Sequence, residues 1–181
     1  MTTATGFGRW WGDGSGLRLV TWSALAMLLS GVLACSKPAV EDPRLLRNPT
    51  VPIGAITRFD PARFDGTWIV DSTAGGTWHM RSFRVSGSRW HEQDRSGATR
   101  TATTESLGPG VLRIQYDDES SRDVWAVWID PDHQTAALGD PDGAFGFIAT
   151  KAGKRRADQV RAAEQVLDFN GYRTDTWTSV Q

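Results

Sequence analysis

Between Gly66 and Lys151 the chain changes character about every ten residues. A short run of β-branched, aromatic and alternating apolar residues gives way each time to a cluster of Gly, Pro, Asp or Ser. The predicted strands are Thr67–Ser72, Trp78–Val85, Arg89–Asp94, Thr99–Glu105, Val111–Tyr116, Asp123–Ile129, Thr135–Gly139 and Ala144–Thr150. The links between them, such as Ser86-Gly87-Ser88, Gly108-Pro109-Gly110 and Asp140–Gly143, carry the residues that tight turns need. Consecutive strands with short links predict an up-and-down antiparallel meander. An open sheet of that size leaves two bare edges, and closing it into a barrel removes them. After the strands, Ala157 to Asp168 predicts a helix, with Val160, Ala163 and Leu167 on one face and Asn170-Gly171 as its stop. Thr174–Val180, with Trp177, predicts a last short strand. The expected fold is all-β with one C-terminal helix: an eight-stranded up-and-down antiparallel β-barrel.

The stretch ahead of the first strand is Ile56-Thr57-Arg58-Phe59-Asp60-Pro61-Ala62-Arg63-Phe64-Asp65. Pro61 can open a helical turn, because its missing N–H costs nothing at a first helical position. Phe59 and Phe64 flank that turn and can plug one end of a core. Gly66-Thr67-Trp68 follows, and of three Gly-x-Trp triplets in the chain it alone has a helical turn before it and a strand after it. This order resembles the opening signature of the lipocalins, most closely the bacterial outer-membrane ones. Ile129-Asp130-Pro131-Asp132-His133 resembles the family's second motif, with His133 in the place of a tyrosine. Lys151 stands where the family's third motif has an arginine stacked on the signature tryptophan. The resemblance implies a lipocalin domain over residues 55–181, with Gly66, Trp68, Asp130, Asp132 and Lys151 as fold-signature residues. It also implies a calyx for a lipid, a fatty acid or another small hydrophobic molecule.

Residues 1–34 have the layout of a secretory signal. Arg9 and Arg18 give a basic start, and Leu19 to Leu33 is almost wholly apolar or small. That run has the length of a signal h-region and is too short to span a bilayer. Val32-Leu33-Ala34-Cys35 resembles a lipoprotein cleavage box, which implies an acylated Cys35 at the mature N-terminus. A thiolate is a natural acceptor for a diacylglyceryl group, and several acyl chains hold a protein firmly on a bilayer. In the lipoproteins this box resembles, an aspartate after the cysteine retains the protein at the inner membrane, so the resemblance implies that Ser36 directs the chain to the outer membrane, facing the periplasm. Residues 35–54, with Pro38, Pro43, Pro49 and Pro52, read as the acylated N-terminus and an extended tether.

Barrel strands alternate inward and outward side chains, so strand parity nominates a calyx lining. Arg81, Phe83, Trp90, Leu112, Ile114, Tyr116, Trp128, Phe145 and Phe147 are the candidates, with Arg81 near the open end. Trp90, Trp128, Phe145 and Phe147 are equally suited to filling a closed core, Phe83 reads as closed-end core and Arg81 as a solvated strand residue; a filled barrel would make the chain a structural or interaction envelope lipoprotein. A haem- or metal-binding barrel using His79 or His133 is the less favoured alternative, and neither a metal nor another cofactor is expected. The 20 Lys and Arg against 21 Asp and Glu give no basic excess for nucleic acid. One cysteine excludes an internal disulfide. No Gly-x-Ser-x-Gly elbow is present, and Asp117-Asp118-Glu119 reads as a solvated turn, so no enzyme is expected and no catalytic residue is assigned. Cys35→Ser should abolish incorporation of radiolabelled palmitate in cells; label that still enters the variant would remove Cys35 as the acceptor.

Overall fold

The computed structural model describes residues 46–74 and 79–180. The signal segment 1–34, Cys35, the first part of the tether and Trp78 lie outside the described residues. Asp60 caps a one-turn helix α1 (Pro61–Phe64), its carboxylate accepting from the backbone N–H of Ala62 at 3.0 Å. Eight strands follow: β1 (Gly66–Thr73), β2 (Met80–Ser86), β3 (Arg89–Asp94), β4 (Thr99–Gly108), β5 (Val111–Tyr116), β6 (Ser121–Ile129), β7 (Thr135–Gly139) and β8 (Gly146–Lys151). Helix α2 (Ala157–Phe169) comes next, then a 3₁₀ turn (Thr174–Thr176) and a two-residue strand β9 (Thr178–Ser179). The predicted final strand is thus mostly turn, with a short pairing at its end.

Each strand pairs antiparallel with the next, and β1 closes the barrel by pairing with both β2 and β8. Its two partners are offset along it. The β2 pairing covers Gly66 to Ile69, whereas the β8 pairing runs from Trp68 to Thr73. Where β2 has left, β9 takes the free edge of β1 at Ser72 and Thr73. The barrel is therefore sealed without leaving the end of β1 bare.

The apolar residues sort into two cores. Phe64, Trp68, Phe83, Trp90, Ile114, Leu138 and Phe147 fill the barrel and are all at most 1% exposed. Outside, Val127, Ala137 and Ile148 of β6, β7 and β8 meet Val160, Ala163 and Leu167 of α2. Covered on both faces, β7 is buried at every residue, which explains its unbroken Thr-Ala-Ala-Leu-Gly run. Tyr172 follows α2 and lies on the paired glycines Gly139 and Gly146. A Cβ at either would come within 2.1 Å or 2.7 Å of its ring or hydroxyl, so the close approach requires both glycines.

The segment read as a solvated tether lies against the barrel from Leu46 onward. Leu46 donates to the carbonyl of Gly143, and Asn48 to that of Gly171 at 2.8 Å. Arg47 is 3% exposed, and its guanidinium donates to the carbonyls of Asn170 at 2.8 Å, Pro141 at 2.9 Å and Val51. The chain then runs down to Ile56, which donates to Ala126 at 2.8 Å, and enters α1.

Two stability outcomes follow from these contacts. Trp68→Ala should cost about 3–5 kcal/mol, as for a fully buried tryptophan. Arg47→Ala strands the carbonyls it serves and should cost about 1.5–3 kcal/mol. Chemical denaturation checks both; a near-wild-type midpoint for either variant would remove that residue from the packing described.

Candidate functional site

The two ends of the barrel are built differently. At the closed end stand α1 and the β2–β3, β4–β5 and β6–β7 turns. Gly66 has φ +131°, a conformation open to glycine, and the Lys151 side chain lies across it. Lys151 Nζ donates to the Arg63 carbonyl at 2.8 Å and sits 5.4 Å from the Trp68 ring centroid. Burial lowers its pKa. Asp130, 2% exposed, accepts from the backbone N–H groups of Gln134 at 2.6 Å and Thr135 at 2.5 Å, and from Asp132 at 3.1 Å. It organises the β6–β7 turn, in which Asp132 itself is exposed and His133 takes a left-handed φ of 54°. His79 stands at the opposite end of the barrel, so the two histidines share no site. Among the described residues, no group of three or more His, Cys, Asp or Glu is arranged to hold a metal ion.

Above the closed end an aromatic column fills the barrel. Trp68 and Phe83 are stacked with centroids 6.0 Å apart, Phe83 and Trp90 at 4.2 Å, and Phe147 meets Phe83 edge-on at 5.9 Å. Glu92, the next inward residue on β3, caps the column. Its Oε2 accepts from Trp90 Nε1 at 3.2 Å and from the Tyr116 hydroxyl at 3.0 Å. The Arg100 guanidinium lies 3.9 Å above the Tyr116 ring, 3.8 Å from Glu92 Oε1, and is bonded to Asp118 at 2.8 Å. Arg122 donates to the Tyr116 hydroxyl at 3.3 Å and lies 5.2 Å from the Phe145 centroid. Burial pushes the Tyr116 phenol up to about 12, with Arg122 opposing and Glu92 adding to the shift.

The open mouth holds a cavity of about 180 Å³, bordered by His79, Met80, Glu92, Asp94, Arg100 and Arg122 among others. Its walls carry both signs of charge, and Met80 and Ala98 are its apolar lining. A molecule seated there meets hydrogen-bonding groups before it meets aromatic surface.

Of the nominated lining, Phe83, Trp90, Leu112, Ile114, Tyr116, Phe145 and Phe147 lie in the interior cluster. Two nominations are corrected. Arg81 is exposed, because a β-bulge between Met80 and Ser82 breaks the parity of β2 and gives Met80 the inward place. Trp128 packs outside the barrel against the α2 core, because a second bulge between Ala126 and Trp128 inserts Val127. Glu92, Arg100 and Arg122 were missed. Each is two residues from a buried inward residue on its own strand — Trp90, Ala102 and Val124 — so alternation carried the signal, hidden by their charge.

No family model matches the chain, and no curated protein matches it. Solved structures do. Insecticyanin from the tobacco hornworm Manduca sexta matches with a TM-score of 0.56 at 11% identity, over 71% of this chain and 83% of that one. The cockroach allergen Per a 4 matches at 0.53 and 15% identity, over 74% and 96%. Apocrustacyanin C1 matches at 0.50 and 14% identity, over 71% and 88%. The chain has a lipocalin-like fold. At such identities the likeness speaks for the architecture, and the lipocalin-like barrel is the same closed eight-stranded meander with a C-terminal helix.

The raised Tyr116 pKa has a measurable consequence. Between pH 10 and about 12 the unfolded chain has released the phenolic proton while the native chain keeps it, so stability falls as pH rises through that window. Tyr172, also raised by burial, adds to the fall and extends it upward. Urea midpoints at pH 9 and above pH 11 should show a smaller alkaline loss in Tyr116→Phe than in wild type. Equal losses would show that the barrel does not raise the Tyr116 pKa.

Proposed function

We propose that the chain is a non-enzymatic member of the lipocalin family, anchored to the outer membrane through acylated Cys35 and facing the periplasm. It binds a lipid or another small hydrophobic molecule at the barrel mouth. The observation that carries this reading is the cavity of about 180 Å³ at the open end, set over an aromatic column and edged by Arg100 and Arg122. Pockets that enclose a drug-sized ligand run to roughly 300 Å³ and above, so this mouth suits a grip on one end of a molecule. Apolar burial against the column supplies affinity, and the mixed-charge walls orient a polar head group. The Arg100 and Arg122 edge, in place of Arg81, is where an anionic head meets positive charge.

A structural envelope lipoprotein with a filled barrel is the second reading. The complete burial of Trp90 and its 4.2 Å stacking on Phe83 favour it.

Titration of the full chain with a long-chain fatty acid separates the two. A binding mouth gives a saturable change in tryptophan fluorescence that Trp90→Phe alters and Trp128→Phe leaves nearly unchanged. Affinity for the anionic head group falls with added salt, and Arg122→Gln flattens that dependence. No saturable change at millimolar ligand would sink the binding reading and leave the filled barrel.

A further inference from the structure

A second cavity of about 180 Å³ opens at the other end of the barrel, between α1, the β2–β3 turn and the inner face of β4. Phe59, Phe64, Val85 and Leu112 supply its apolar wall, and Thr104 and Ser106 face it from β4. They share the strand parity of Ala102, which is 1% exposed inside the barrel, and they pair across β4–β5 with Ile114 and Leu112. Toward the end of β4 that parity leaves the closed core: Thr104 is half-buried and Ser106 exposed, so the two hydroxyls stand at the rim of the cavity beside its apolar wall. Ser106 Oγ donates to the Gly108 carbonyl at 3.3 Å, so its lone pairs are the part left to face a guest's donor. The wall is also held in place rather than loose: Phe59 and Phe64 contact at 5.2 Å, and the Thr104 N–H donates to the Ser88 carbonyl at 2.8 Å.

We propose that this closed-end cavity is a separate binding site for a small aromatic molecule carrying one hydroxyl, of about the size of phenol. An apolar cavity of roughly 150 Å³ accommodates benzene, so the volume fits one ring and little more. The ring packs between Phe59, Val85 and Leu112, and its hydroxyl meets the β4 hydroxyls. The site does not depend on the mouth, from which the aromatic column separates it.

Phenol titrated into the full chain, followed by backbone amide NMR, tests the proposal. Saturable shifts are expected at Phe59, Ser88, Thr104, Ser106 and Leu112, with a Kd on the order of 1 mM, and none at Ala98 or Arg100 beside the mouth. Ser106→Phe should fill the cavity and abolish those shifts. Thr104→Val removes a hydroxyl with little change of shape, and should weaken phenol about fivefold while leaving benzene affinity unchanged. Circular dichroism shows whether each variant folds, and the wild-type shift map stands even if Ser106→Phe does not. Shifts confined to the mouth, no saturation by about 20 mM phenol, or unchanged phenol affinity in Thr104→Val would each overturn the proposal. The fatty-acid titration reports on the mouth alone, so either site can fail without the other.

Discussion

The barrel is assembled on the Trp68 indole. Its Nε1 donates to the Phe64 carbonyl at 2.8 Å, which ties the first strand to the helical turn that plugs the base. One face of the ring meets Phe64 and Phe83, and Lys151 from the last barrel strand reaches over it. The same residue pairs by backbone with Phe83 of β2 and with Lys151 of β8. A single buried side chain thus stands where the first strand meets both its neighbours, and the sheet closes there. A buried donor left without a partner costs more than a satisfied bond gains, so the Phe64 carbonyl fixes how α1 sits as firmly as packing does.

Strand number, turn positions and the C-terminal helix were legible because each follows from local chemistry. Turn residues cluster at every reversal, and the helix shows its apolar face at Val160, Ala163 and Leu167. Orientation within a strand was legible wherever the pairing is regular, as for Phe83, Trp90, Ile114 and Phe147. It failed at Arg81 and Trp128 for one reason. A bulge adds a residue to one strand without adding one to its partner, and every side chain beyond it changes face. Nothing in Met-Arg-Ser or Ala-Val-Trp marks the inserted residue, because the cause is the curvature that closing a barrel demands. The charged residues of the mouth were hidden by the opposite error, since alternation placed Glu92, Arg100 and Arg122 inward and polarity argued them outward.

Those side chains are held at the mouth because each polar group has a partner there. The Glu92 carboxylate receives an indole N–H and a phenol, the phenol receives Arg122, and Arg100 rests on the phenol's ring. The network forms a polar collar on an aromatic column. A collar of this kind keeps the mouth wettable while the column below excludes water, so a guest must exchange hydrogen bonds before it reaches apolar surface. The closed end lacks that collar, and its apolar wall opens directly beside Thr104 and Ser106.

Arg47 carries a mechanical consequence. Whatever draws on the chain ahead of Leu46 meets first the bonds from Leu46, Arg47 and Asn48 to Gly143, Pro141, Asn170 and Gly171, well before β1 begins at Gly66. Those bonds reach the β7–β8 turn and the end of α2, so a pull is shared between two parts of the domain and loads the bonds together. The first strand, whose two pairings close the barrel, is thereby insulated from tension. Arg47 acts as a strain relief, much as a cable is clamped to a housing so that the connector inside bears no load.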